Sequence, residues 1–358
     1  VFSCIIYKNN LRLLTLAGGG QMADYIETIA VRLLDMMPEI VPAYKINKHL
    51  VGYSSNSGEL EQMRQMVYET EQVQVLLRQQ STIGSWGKRF FTRNKNVKNP
   101  ARTTETALIR LNALEVDREA EVFQRSVEYM EKLLDGRLRW PDQLDSSLQH
   151  DEAMRLVIVT RLSQIRPEHP YVKDYIEKIK QIMNAAFAPG FFDEAILLEA
   201  SEDILRHRFT TDCQICFSLY PLILLRDQLD FELQQLWIEH LFKHRRGIYL
   251  VNNRSLQHLP LSFPSEESMR YINAVELLSW YPAAVSYLED ARDWLWEQVN
   301  NEGLWDLRSY GRDGLELPLS RSWRNPVSRH IDSSVRILMI LRRLQLTCSL
   351  RDTVCHFL

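Results

Sequence analysis

His150, Asp151, Asp212, His330 and Asp332 are the residues of this chain whose types suit shared proton-transfer chemistry, and each stands at or beside the predicted start of a helix. An imidazole next to a carboxylate makes an acid/base pair, because the carboxylate orients the ring and stabilises its charged form. Stacked helical hairpins begin their inner helices at one end, so residues far apart in sequence converge there. Thr104, Glu105, Glu152, Cys213, Ser268 and Arg329 occupy further predicted starts. Capping accounts for Thr104, Asp212 and Ser268, whose oxygens suit free N–H groups. It does not account for His150 and His330, since a protonated ring is disfavoured at a helix N-terminus. We therefore take His150, Asp151, His330 and Asp332 as candidate catalytic residues.

Asp212, Cys213 and His330 have the ligand types of a zinc site and are the candidate metal residues, although their spacing identifies no cofactor. Cys213 and Cys216 are three apart on a predicted helix, a spacing that core packing also explains. Trp86, Trp305, Trp323 and Tyr310, with Arg324 and Arg329, are candidate substrate-binding residues. The rings suit an apolar or cationic guest, and the arginines, with Arg321 and Arg336, suit a phosphate or diphosphate. Asp193 and Glu194, with Asp306 and Asp313, are acids that could act as a carboxylate pair on a sugar; helix-start charge is the simpler account of the first two.

The elements that must position these residues are helical. Apolar residues recur at the helical period almost throughout, as in Tyr25, Ile29, Leu33 and Met36, or Ala107, Leu108, Leu111 and Leu114. Helix pairs are predicted over about 150–162 with 171–187, 194–206 with 212–225, and 269–280 with 283–299. The best strand signal, Ile248 to Val251, is short. A glycine followed two residues later by an aromatic recurs as Gly84–Trp86, Gly190–Phe192, Gly247–Tyr249 and Gly303–Trp305, with Gly136 and Trp140 as a looser copy. The glycine steps of about 52 to 57 residues mark a repeat architecture. Helix termination is the expected role of the glycines and packing over the helix end that of the aromatics.

The chain has 358 residues, a net charge of −3 and 25% charged residues. That balance gives no basic footprint for nucleic acid. The densest basic run, Lys88 to Lys98, reads as a solvated loop. Five cysteines without framework spacing argue against a disulfide scaffold and for a reducing, cytoplasmic setting. No apolar run reaches the roughly 18 residues of a membrane span. Gly18-Gly-Gly-Gln21 before Met22 resembles a translated ribosome-binding site. Residues 1–21 are accordingly expected to be a non-native or disordered leader, and 22–358 one domain.

At Gln79-Gln80-Ser-Thr-Ile-Gly84-Ser-Trp86 the sequence resembles the glutamine–tryptophan repeat of squalene cyclases and their relatives, and Asn300-Asn-Glu-Gly303-Leu-Trp305 resembles a second copy with Asn in place of Gln. Leu319-Ser-Arg-Ser-Trp323-Arg324 and Arg329-His-Ile-Asp332 look like the C-terminal block of bacterial prenyltransferase/squalene-cyclase-like proteins of unassigned activity. The resemblance covers about residues 60 to 345. It implies a double ring of helices around an apolar cavity, which agrees with the periodicity: an all-α fold of about a dozen helices in hairpins, an α/α toroid closed by pairing the last helix with a segment such as 59–79. It also implies isoprenoid cyclisation or prenyl transfer on a hydrophobic small molecule. The Asp-x-Asp-Asp and Asp-Asp-x-x-Asp acids of the known cyclases are absent from the sequence. A toroid that only binds a hydrophobic ligand or a protein, and an α/α-barrel carbohydrate-active enzyme, are the alternatives.

Overall fold

The computed structural model describes residues 19–52, 58–91, 98–142, 148–206 and 216–355, and for 19–24, 148–150 and 346–355 the backbone alone. The fold is all-α, and no strand occurs among the described residues. Ile248 to Val251 forms a turn carrying single bridges to Asn252 and Ser218. Gly247 and Leu250 both take positive φ there, which breaks an extended run. No helix among the described residues is long and apolar enough to cross a membrane.

Contacts divide the chain into two compact units. Unit 1 takes the described residues up to Gln74, then Asn112–Val116, then those from Leu259 onward. It holds α1 (Gly19–Asp35), α2 (Ile40–His49), α3 (Gly58–Tyr68) and the start of α4 (Glu71–Gln79). The later segments add α12 (Glu266–Leu278), α13 (Glu289–Glu297) and α14 (Pro326–Cys355). Ile26, Ile29, Ala30 and Leu33 form a buried stripe on α1 at helical spacing. From Ile331 to Leu344, α14 is buried on nearly all sides. It packs against α1, α2, α13 and the 3-10 turn Pro282–Tyr287. The expected partner of the last helix was 59–79; the stripe on α1 takes that place. The helix expected over 283–299 breaks at Leu288 into the 3-10 turn and α13.

Unit 2 comprises Val75–Leu111 and Asp117–His258. After the end of α4 it contains most of α5 (Thr104–Ala113), then α6 (Glu121–Leu134), α7 (Leu148–Ile165) and α8 (Pro170–Phe187). It closes with α9 (Glu194–Leu205), α10 (Leu219–Leu224) and α11 (Phe231–Lys243). Neighbours in sequence pack as hairpins: α6 on α7, α7 on α8, α8 on α9. Helix α8 illustrates the local causes. The His169 ring accepts a hydrogen bond from the Tyr171 N–H, and Pro170 fills the first position, where no N–H is needed. Val172, Tyr175, Ile176, Ile179 and Met183 then bury one face. At roughly 1.5–3 kcal/mol for each large apolar side chain, such a stripe outweighs helix propensity in fixing the helix.

Candidate functional site

Trp86 and Trp305 are wholly buried. The Trp86 Nε1–H donates to the Leu76 carbonyl at 2.8 Å, and the Trp305 Nε1–H to the Leu295 carbonyl at 2.7 Å, each ten residues back. Their backbone N–H groups donate to hydroxyls on later helices, Thr104 Oγ1 and Ser334 Oγ. The preceding loops also match. Ser81 N–H reaches the Ser85 carbonyl as Asn300 N–H reaches the Leu304 carbonyl, both at 2.8 Å, and Gly84 and Gly303 take positive φ. Asn300 therefore occupies the place of Ser81; the place of Gln80 is taken by Val299. Gln80 Nε2 donates to the Gly84 and Val122 carbonyls, which ties its loop to α6. These tryptophans are spent in closing loops. Thr104, expected as a cap, serves Trp86, while Thr103 and Thr106 cap α5 reciprocally.

In unit 1, Arg329 makes paired hydrogen bonds to Asp306 at 2.7 and 2.9 Å. Burial would raise the Asp306 carboxyl, but Arg329 outweighs it and holds it below its usual range. His330 Nε2 lies 3.2 Å from the same carboxylate, and Nδ1 lies 3.6 Å from Glu302. Asp332 faces elsewhere. Its Oδ2 accepts from the Leu319 and Ser320 N–H groups and from Trp323 Nε1, and its Oδ1 from the Ser320 hydroxyl. Burial pushes the Asp332 carboxyl up against those hydrogen bonds. Asp332 and Trp323 thus fasten the loop before α14, while Arg324 is exposed and Tyr310 is 48% exposed.

Asp151 belongs to unit 2 and is exposed. The side chain of His150, and Asp212 and Cys213 altogether, lie outside the described residues. No group of three or more metal-ligating side chains occurs among the described residues. Asp193 caps α9, accepting from the Ala195 and Ile196 N–H groups. Glu105 lies in a buried network of unit 2, where its Oε1 accepts from Arg161 Nε and Nη2 and from the Tyr220 hydroxyl.

A partly buried group of charges joins Arg336 and Asp313, expected in separate roles, to Glu276 and Glu316, which the sequence does not single out. On α14, Arg336 donates through Nε and Nη2 to Glu276 Oε2 on α12, at 2.9 and 2.7 Å, and through Nη2 to Asn273 Oδ1 at 2.9 Å. One helical stretch on, Arg343 bonds Ser279, reaches Glu276 Oε1 at 3.5 Å and lies over the Trp280 ring. A loop carrying Asp313 and Glu316 joins them. Asp313 Oδ1 accepts the N–H groups of Leu315, Glu316 and Leu317, and Oδ2 stands 3.9 Å from Arg336 Nη1. Lys45 on α2 adds its charge while it donates to Ala113 O and Glu115.

The two glutamates end in opposite states. Burial opposes ionisation of Glu276, yet Arg336 and Arg343 hold it below its usual range. Burial and the charge of Glu276 push Glu316 up to about 7. A carboxylate kept charged beside a carboxyl poised near neutrality is an acid/base arrangement. The sequence offers one signal for it: Arg336 and Arg343 share a face of α14, as Asn273 and Glu276 share a face of α12, with Ser279 at the cap of that helix. Nothing in Gly314-Leu315-Glu316 marks the second carboxylate.

No protein-family model, curated protein or solved structure matches this chain.

Proposed function

We propose that this chain is a divergent helical protein of the squalene-cyclase/prenyltransferase type, handling an isoprenoid or similarly hydrophobic molecule by proton transfer at Glu316. The observation that carries the proton-transfer reading is the cluster on α12, α14 and the loop between α13 and α14. Glu276, Asp313 and Glu316 share Arg336 there, within unit 1. Glu316 is the acid, and Glu276, charged and fixed by two arginines, stabilises positive charge that develops on the substrate. The two matching Gly-x-Trp loops support the architectural part.

The decisive measurement follows purified protein incubated with prenyl alcohols, prenyl diphosphates and polyprenes, with products read by mass spectrometry. Turnover that Glu316→Gln abolishes and Arg324→Ala leaves intact is the expected result. Turnover unchanged in Glu316→Gln refutes the assignment. A carboxylate pair also suits glycoside chemistry, so oligosaccharides belong in the same assay, and their cleavage by the parent alone favours the carbohydrate reading.

A further inference from the structure

Arg336 is 7% exposed at its side chain, and two of its three nitrogens are committed to Glu276 and Asn273. Its Nη1 is buried and has no hydrogen-bond acceptor. Asp313 Oδ2, at 3.9 Å, is too distant to serve. A buried guanidinium N–H left without an acceptor is destabilising, because it has lost its water and gained no partner. The carboxylates beside it are reached by solvent, with the side chains of Glu276 and Asp313 26% and 25% exposed. Nη1 itself has no exposed surface, so a ligand reaches it only where the loop carrying Asp313 gives way.

We propose that this site receives a neutral oxygen acceptor, a hydroxyl or carbonyl of its ligand, at Arg336 Nη1 beside the Glu316 carboxyl. A hydrocarbon leaves the N–H unmet, because a carbon–carbon double bond is a poor acceptor. A phosphate meets it but places further negative charge against Glu276 and Asp313, which together already balance Arg336 and Arg343. A neutral oxygen satisfies the donor and adds no charge. Glu316 feels the charge of Arg336, so we take the oxygen held there, rather than a carbon, as the group it protonates. The hydrocarbon part of the ligand rests on the isoprenoid reading above, whereas the head group rests on Arg336.

One carbon skeleton with three heads tests this: farnesene, farnesol and farnesyl diphosphate, titrated against the full chain with binding read by native mass spectrometry. Farnesol is expected to bind at least about tenfold more tightly than either other compound. Arg336→Lys, which keeps the charge and removes Nη1, is expected to erase most of that preference; the parent protein alone decides if the variant does not fold. Equal binding of farnesol and farnesene means that water meets Nη1 and overturns the proposal. So does tightest binding of the diphosphate, or no binding of any of the three. Carbon-13 titration of Glu316 on the same protein separates the two ideas. A midpoint at the ordinary 4.5 removes the proton-transfer reading without touching a farnesol preference.

Discussion

At the residue scale, Glu276 and Glu316 differ because one faces two guanidinium groups directly and the other faces the charge that results. Stability must then depend on pH in a defined direction. Unfolded, Glu316 releases its proton near 4.5; folded, it holds it to about 7. Between those values the unfolded chain loses a proton that the folded chain keeps, so this group's contribution falls as pH rises and stays low above 7. Glu316→Gln keeps the shape and never ionises. At pH 8 it is expected to exceed the parent in stability by about 1–3 kcal/mol, with the difference vanishing near pH 4. Urea midpoints across that range measure it, and parallel profiles for parent and variant would show that Glu316 is not shifted. Glu276→Gln acts oppositely. It strands Arg336 and Arg343 beside a neutral group and should cost about 3–5 kcal/mol at pH 8.

At the element scale, the Gly-x-Trp loop is a unit with its own energetics. The indole bond to a carbonyl ten residues back is the same in both copies, so Trp86→Phe and Trp305→Phe should each cost about 2–4 kcal/mol and agree within about 1 kcal/mol. A large disparity in thermal or urea unfolding would mean that the shared geometry is incidental. The glycines divide more sharply. Gly136 follows the cap of α6, has positive φ, and a Cβ there would enter open space. Gly84 lies beyond the end of α4, and a Cβ there would collide with the Arg125 carbonyl. Gly136→Ala should cost about 1–2 kcal/mol and Gly84→Ala more than about 3. These elements also show how much of the fold was legible in sequence. The helical period gave α8 nearly to the residue, α7 to within three residues at each end and the buried face of α1 without its bounds, and the repeat marked both tryptophan loops. Helix termination, expected of every glycine in the repeat, holds at Gly136 but not at Gly84 or Gly303, which close loops after helices that have already ended. Asn300 matched Gln80 by residue type but Ser81 by hydrogen bonding. Asp332, chosen for its neighbour His330, serves Trp323 and the backbone of its own loop. Glu316 carried no local signal, because burial and Glu276 define it and both come from distant chain.

At the scale of the whole molecule, the chain path is the main constraint. Unit 1 is assembled from early and late segments, with all of unit 2 lying between them in sequence and only Asn112–Val116 of unit 1 interrupting it. The Arg321 N–H donates to Glu39 across 282 residues, and α14 covers α1 and α2. Contacts of that separation form late, because the intervening chain must be ordered before they gain anything. Unit 1 therefore has no complete core until α14 is made. Without α14, Ile26, Ile29 and Leu33 on α1 lose their cover, Trp305 loses the Ser334 hydroxyl and Leu307 that of Ser333. A chain ending at Asn325 should keep much of its helical signal, since unit 2 contains none of α14. It should also bind an apolar dye and lose about 5 kcal/mol or more from the transition that reports on Trp305, because several large side chains are uncovered at once. Circular dichroism with dye fluorescence through a urea series measures both. A truncated chain that unfolds at the parent's midpoint without binding dye would mean that α14 is peripheral to unit 1, and that burial from Ile331 to Leu344 contributes little to its stability.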